Sequence, residues 1–393
     1  MNNRKKIAIV GIGQAGCRTL NEISTLRQAE NFTLFAIDTD EHTLAECQID
    51  AENKLLAGSN WRHGQGCGGD AMAGSRAIAS SRSQLENLLQ GFDLIFFTGG
   101  LGRGSATGGM PVLSSVVKKH KIPAIFIVTL PFKMEGLSKQ RTAEATLKNE
   151  LYPLAEVVLA LPNDLLFSIL PGDVSLEEAF RTSNRQIAKC VISLAMIFMG
   201  GNLLPANYAD LATILQQKKS TVSIGIGLCN AKDAPEERNS VILERMLRSP
   251  LLGGIRKIKE ADAVIASLLG GNDLNAANCL HTFEKIREIT PDKCIQIHSV
   301  STDESLNESM ILSLITVKFD ESNDFENVLG IPDEVKVPKR QKNTVKNESE
   351  QLGLPLDAKS RGIMEHTEPT VINHVDMDIP TFQRRQIKID NGS

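Results

Sequence analysis

The sequence predicts an α/β fold: a Rossmann-like parallel-sheet domain, a central helix, a second smaller α+β domain, and a disordered C-terminal linker ending in a short patterned peptide. Three observations carry this expectation. Short apolar runs alternate with helical patterns from Lys5 to Leu170, an order that gives parallel strands with helices on both faces. Two of those runs end in glycine turns that lead straight into helices. From Ile331 the composition turns to Lys, Glu, Asp, Asn and Pro with no sustained period, and such a segment buries too little apolar surface to order itself.

The first strand is Lys6–Val10, and Gly11-Ile-Gly-Gln-Ala-Gly16 carries it into a helix ending near Thr25. Alone, G-x-G-x-x-G suggests a dinucleotide site, which asks for an acid at the end of the second strand, about twenty residues on. The second strand, Thr33–Ile37, offers Asp38 and Asp40. The third, Leu94–Thr98, runs into the loop Gly99–Gly109, which holds six glycines, Ser105, Thr107 and Arg103. Glycine lets the backbone approach an anion, which the N–H groups and positive end of the next helix then hold. Ser105 and Thr107 add hydroxyl donors. No Gly-Lys-Ser/Thr follows, so the loop is not a Walker A. A glycine cluster also suits a merely flexible loop, but its place between a buried strand and a helix favours phosphate. Two phosphate loops in one domain fit a nucleoside triphosphate better than a dinucleotide.

Ala124–Thr129 and Val157–Leu161 complete the first set of strands. Ser175–Met199 has Leu176, Phe180, Ile187, Val191, Leu194 and Phe198 at near-helical spacing. Asp173 or Ser175 is its cap, Glu177 and Glu178 occupy the first turn, and Gly200-Gly201 ends it. Beyond it, Val222–Leu228, Ala263–Leu268, Cys294–Ser299 and Ser313–Phe319 read as strands. The resulting domains are 1–174, 175–201 for the central helix, 202–320, the linker 321–375 and a terminal peptide 376–393.

Composition narrows the function classes. Hydrophobic residues make 41% of the chain but aromatics only 4%, so the core is aliphatic. A net charge of −4 gives no bulk attraction to nucleic acid. No window approaches the roughly eighteen apolar residues of a membrane span, and Ile7–Ile12 is too short for a signal sequence. Seven cysteines, without a C-x-x-C, argue for a reducing cytosol and against a disulfide frame or a zinc site.

Several motifs, in order, carry a family resemblance. Gly102-Arg-Gly-Ser-Ala-Thr-Gly108 resembles the signature loop of the tubulin/FtsZ family, GGGTGTG or GGGTGSG. Pro131-Phe-Lys-Met-Glu-Gly136 is similar to the P-F-x-x-E-G of its FtsZ branch, Leu161-Pro-Asn-Asp164 to I-P-N-D, and Ser249-Pro-Leu-Leu252 to S-P-L-L. Asp378-Ile-Pro-Thr-Phe-Gln-Arg-Arg-Gln386 resembles the branch's carboxy-terminal peptide, D-I-P-x-F-x-R-x-Q. The resemblance covers Lys5 to about Asp320 plus that peptide. It implies a GTP-binding domain, and a GTPase that polymerises head to tail into the filaments of the bacterial division ring.

The resemblance also assigns residues. Gly13, Gln14, Ala15 and Gly16 would wrap the α and β phosphates of GTP or GDP, with Mg²⁺ held through the phosphates. Gly68, Gly69 and Asp70 stand in the A-G-G-N loop that senses the γ-phosphate; aspartate there puts negative charge near phosphate unless Mg²⁺ bridges them. Gly102, Arg103, Gly104, Ser105, Ala106, Thr107 and Gly108 form the signature loop, and Arg103, a glycine in the family, either compensates charge or points to solvent. Glu135 would accept from the ribose. Lys139 replaces an arginine, keeping charge and losing the bidentate fork. Asn163 faces sugar or base, Phe180 stacks on the base, and Asn184 falls on the asparagine that reads guanine. Arg185 stands where the branch has the aspartate that pairs with guanine.

In this family one subunit completes the next subunit's active site. The corresponding loop, N-x-D-F-A-D in FtsZ, is Pro205-Ala-Asn-Tyr-Ala-Asp210 here. Asp210 keeps one acid, whereas Asn207 replaces the other. A carboxylate can orient and polarise the attacking water; an amide can only orient it. The expectation is therefore GTP-dependent assembly with slow hydrolysis, carried mainly by Asp210. Two other readings stay open: a GTP-binding filament protein with very weak or no hydrolysis, and a Rossmann oxidoreductase favoured only by Gly11–Gly16. By resemblance the terminal peptide Asp378–Gln386 would dock on a membrane adaptor such as FtsA, which a cytoplasmic chain at a midcell ring needs when it has no membrane anchor.

Overall fold

The computed structural model of the chain describes residues 5–167, 174–199, 220–230, 237–271 and 273–319, the positions 204, 209, 213, 214 and 233, and two dipeptides, 371–372 and 375–376. Asn207 and Asp210, most of the linker, and the peptide Asp378–Gln386 lie outside the described residues.

The first sheet has six parallel strands, β1 (Ile7–Ile12), β2 (Thr33–Asp38), β3 (Lys54–Leu56), β4 (Leu94–Gly100), β5 (Ala124–Leu130) and β6 (Val157–Pro162), in the order β3-β2-β1-β4-β5-β6. Between them run α1 (Gly13–Ser24), α2 (Glu41–Glu46), α3 (Ser59–Arg62), α4 (Ala71–Ser80), α5 (Arg82–Leu89), α6 (Ser105–Lys119), α7 (Leu137–Thr146) and α8 (Tyr152–Leu154). A parallel sheet is covered on both faces, so its strands are apolar throughout rather than alternating. In β1, Ile7 and Ile9 pack with Leu20 and Ile23 of α1, while Ala8, Val10 and Ile12 pack with Leu85 of α5 and Met110, Leu113 and Val116 of α6. Phe97 stacks on Phe126 with ring centroids 4.7 Å apart.

After α9 (Asn163–Phe167) comes the central helix, α10 (Leu176–Phe198). Of the two cap candidates it uses Ser175, whose hydroxyl accepts from the Glu178 N–H at 3.2 Å. Its residues Ile187, Val191 and Leu194 join Ile9 and Phe96 of the first sheet and Ile224, Ile265 and Ile315 of a second sheet in one buried cluster. The helix is thus the filling between two sheets.

The second sheet contains β7 (Ser220–Cys229), β8 (Ala263–Gly270), β9 (Ile295–Thr302) and β10 (Met310–Phe319), ordered β7-β10-β8-β9. β10 is antiparallel to both neighbours and β8 is parallel to β9. Helices α11 (Arg238–Leu247), α12 (Ile255–Lys259) and α13 (Ala276–Ile289) accompany it. The four expected strands are present, each somewhat longer than the apolar run that announces it. β3 was not anticipated: its three residues are all half-buried and carry no period.

A separate unit begins at Asp333. At the end of the expected linker, and reaching one residue into the expected terminal peptide, β11 (Val371–Ile372) and β12 (Val375–Asp376) pair antiparallel as a minimal hairpin.

Candidate nucleotide site

The strand order reverses between β1 and β4, the place where open α/β sheets bind ligands. α1 starts directly after β1 and α6 shortly after β4, so two helix N-termini face one crevice. Gly13 makes the sharp exit from β1 at φ +70°, with the Ala106 N–H 3.5 Å from where a Cβ would sit. The two anion-binding turns are therefore neighbours. A cavity of about 770 Å³ opens over them.

Most of the expected residues line this cavity: Gly13, Gln14 and Ala15 from the first turn, Gly68 and Gly69 from the second loop, Arg103, Gly104, Ser105 and Ala106 from the signature loop, and Glu135, Asn163, Phe180 and Asn184 from the opposite wall. Five others stand behind them. Gly16 lies against Thr98 of β4. The Gly102 N–H donates to Thr107 Oγ1 at 2.9 Å, fixing the loop from beneath. Gly108 lies so close to the Ala71 carbonyl that no side chain fits between α6 and α4. Lys139 Nζ lies 3.2 Å from Glu135 Oε2.

Asp70 caps α4: its Oδ1 accepts from the Met72 N–H at 2.8 Å and the Ala73 N–H at 3.3 Å. Arg103 is drawn to Glu135 rather than to Asp70. It is 63% exposed and lines the cavity, with one guanidinium nitrogen 3.5 Å from Glu135 Oε2. Glu135 thus sits between two cations. Arg185 is turned away from the cavity. Its Nε lies 3.5 Å from Glu22 Oε2 on α1, and Arg181 approaches the other oxygen at 3.7 Å.

Beneath the phosphate loops runs a chain of hydroxyls. Ser105 Oγ donates to Asp38 Oδ1 at 2.7 Å, which commits its proton. Thr39 Oγ1 must then donate to Ser105 across 2.8 Å, and Cys67 Sγ donates to Thr39 at 3.2 Å. The chain ties the end of β2, the Cys67 loop and the start of α6 together. Asp38 is one of the two acids, with Asp40, that the sequence offers at the end of the second strand; it is 2% exposed. Burial raises its pKa, against the lowering effect of the Ser105 and Thr39 donors.

On α10 the cavity takes Phe180, Ser183, Asn184 and Ile187, the i, i+3, i+4, i+7 spacing of one helix face. Ser183 and Ile187 were not recognised from sequence as site residues, although that spacing, started at Phe180, marks both. Phe132 braces Phe180 edge-on, with centroids 5.2 Å apart. Two buried polar atoms on this wall, Asn163 Oδ1 and Ser183 Oγ, have no hydrogen-bond partner among the described residues.

One wall of backbone N–H groups for phosphates, and a facing wall with an aromatic and unpaired polar atoms, define a nucleotide-binding α/β protein. The model of the Tubulin/FtsZ family, GTPase domain, matches residues 6–171. The cell division protein FtsZ of Haloferax mediterranei is 30% identical over 312 residues, covering 79% of each chain. The one from Buchnera aphidicola is 26% identical over 99% of this chain and 98% of its own. Among solved structures, an empty FtsZ dimer from M. jannaschii superposes with a TM-score of 0.68 at 26% identity, over 80% of this chain and 88% of that one. CetZ2 from Haloferax volcanii, at 20% identity and a TM-score of 0.64, shares the fold. The chain belongs to the tubulin/FtsZ family, as a divergent member. It is a GTPase, and GTP and GDP are its nucleotides.

Proposed function

We propose that the chain assembles head to tail into filaments of a bacterial division ring, with GTP bound in the joint and hydrolysed there. The observation that carries this reading is the cavity at the β1/β4 switch point, which two helix N-termini and three glycine-rich turns face together. The named relatives are cell division proteins, and one solved relative is a dimer. Exposed apolar side chains suit a joint at the cavity mouth: Met134, which lines it, is 63% exposed and neighbouring Leu137 67%. A head-to-tail contact of this kind gives open filaments.

The roles expected of the lining residues follow their chemistry. The N–H groups of the turns after β1 and β4 bind phosphate, Glu135 accepts from ribose hydroxyls, and Phe180 stacks on the base. Mg²⁺ would be held through phosphate oxygens, as is usual for this ion. Asp70 fits an indirect part in that arrangement, because both of its cap bonds fall on Oδ1. Asp210, with Asn207, would act on the attacking water from the next subunit. The peptide Asp378–Gln386 would bring filaments to the membrane through an adaptor such as FtsA, and so to midcell.

Phosphate release from GTP, measured across protein concentrations with polymer sedimented in parallel, tests this. Specific activity should rise with concentration, because the site is completed between subunits. Asp210→Ala should cost about 10²–10⁴ in rate while polymer still sediments with GTP; unchanged hydrolysis in that variant rejects the assignment. The loss of one acid at Asn207 favours a second reading, a GTP-binding filament protein of very weak turnover, which polymer with flat phosphate release would select.

A further inference from the structure

We infer that Ser183 is a specificity-determining residue, whose hydroxyl oxygen accepts an N–H from the base of the bound nucleotide. The inference rests on the guanine reading of the site and concerns how guanine is recognised without an acid. The side chain at 185 cannot do it. A guanidinium has five donors and no acceptor, guanine offers N–H donors at N1 and its amino group, and Arg185 is paired with Glu22 outside the cavity.

What the cavity does offer is acceptors. Ser183 is 3% exposed, lies on the α10 face that lines the cavity, and its Oγ has no partner among the described residues. Asn163 Oδ1, also buried and unpartnered, lines the same cavity from the start of α9. A buried polar atom without a partner is costly, so each such atom in a binding wall calls for a complementary group on the ligand. Two acceptors call for two donors. Guanine carries adjacent donors on its base-pairing edge, whereas adenine presents one amine and a bare ring nitrogen there. Serine in a helix commonly bonds back to a carbonyl one turn earlier; Ser183 Oγ makes no such bond and stays available.

The test is Ser183→Ala in the full chain, held below its assembly concentration. Equilibrium affinities for GTP and ATP and the melting temperature of the nucleotide-free protein are measured. GTP affinity should fall by about three- to tenfold, the usual range for one net hydrogen bond. ATP affinity should hold, so the preference for GTP narrows by that factor. The nucleotide-free variant should melt no lower than the parent, since the deleted hydroxyl has no partner there. Unchanged GTP affinity overturns the inference, as does an equal loss for both nucleotides with a lowered melting temperature, which marks a structural role. A parent that does not prefer GTP to ATP rejects the guanine reading itself before the variant is considered.

Discussion

The cavity has two walls built on different principles. The phosphate wall, from the turns after β1 and β4 and the Cys67 loop, works through backbone N–H groups. Its side chains serve to fix that backbone: Thr107 holds Gly102, Asp70 caps α4, and the Cys67–Thr39–Ser105–Asp38 chain closes the floor. The base wall, from α9 and α10, works through side chains on regular helices, and there the polar atoms are left open. A wall made of backbone constrains the sequence to glycine and small residues. A wall made of side chains is free to vary.

The contrast can be broken most severely at Gly108. A methyl group there meets the Ala71 carbonyl and forces α4 from α6. Gly108→Ala should cost roughly 1–3 kcal/mol of stability, as overpacking does, and weaken every nucleotide alike. Denaturant unfolding measures the first and a GTP/ATP comparison the second; a stable variant with intact binding would show that the wall tolerates side chains.

The base wall is sharpened by Arg185→Ala. The Glu22 pairs are partly exposed, worth about 0–1 kcal/mol, so GTP affinity should stay within about fivefold. A larger loss in a binding titration would put Arg185 on the nucleotide.

The smallest effect is on the floor. Asp38 has a raised pKa from burial, so the folded state holds its proton more tightly than the unfolded chain. As pH rises from the unfolded carboxylate value of about 3.9 to the raised one, the folded state keeps more protons, and stability falls through that window. Above it the deficit is constant. Asp38→Asn can still accept from Ser105 and Thr39, so its nucleotide-free form should gain in melting temperature near pH 7 and lose that gain below about pH 4. A gain independent of pH would assign the effect to packing instead.

The same contrast explains what could be read in advance. The strands of the first sheet were legible because burial on both faces makes them continuous apolar runs. The phosphate turns were legible because positive φ at Gly13 and close approach at Gly108 force glycine into a pattern. Strand direction in the second sheet was not, since the apolar residues of β7, β8 and β10 mark each segment as a strand but do not encode which neighbour it meets. β3 escaped because three half-buried residues have no period. On α10, Ile187 was read only as one of the helix's periodic apolar positions and Ser183 was not singled out; a residue facing a cavity and one facing a core share the same spacing until the neighbouring wall is known. Asp38 was legible as a site acid, but its service to Ser105 depends on a residue 67 positions away.

The central helix has a consequence for how the protein can be divided. With 23 residues, it spans about 35 Å, and the carbonyl of Met199 just beyond its end accepts from the Lys5 N–H at the head of β1. Its apolar residues are buried against α1 and β4 on one side and β7, β9 and β10 on the other. A fragment ending at residue 174 would bare Ile9, Leu20 and Phe96 along the whole groove the helix fills; one beginning there would keep the helix on the second sheet but bare the apolar face it packs against α1 and β4. Neither half is a self-sufficient protein, and the seam between sheets that invites a scissile cut is the place where the chain least tolerates one.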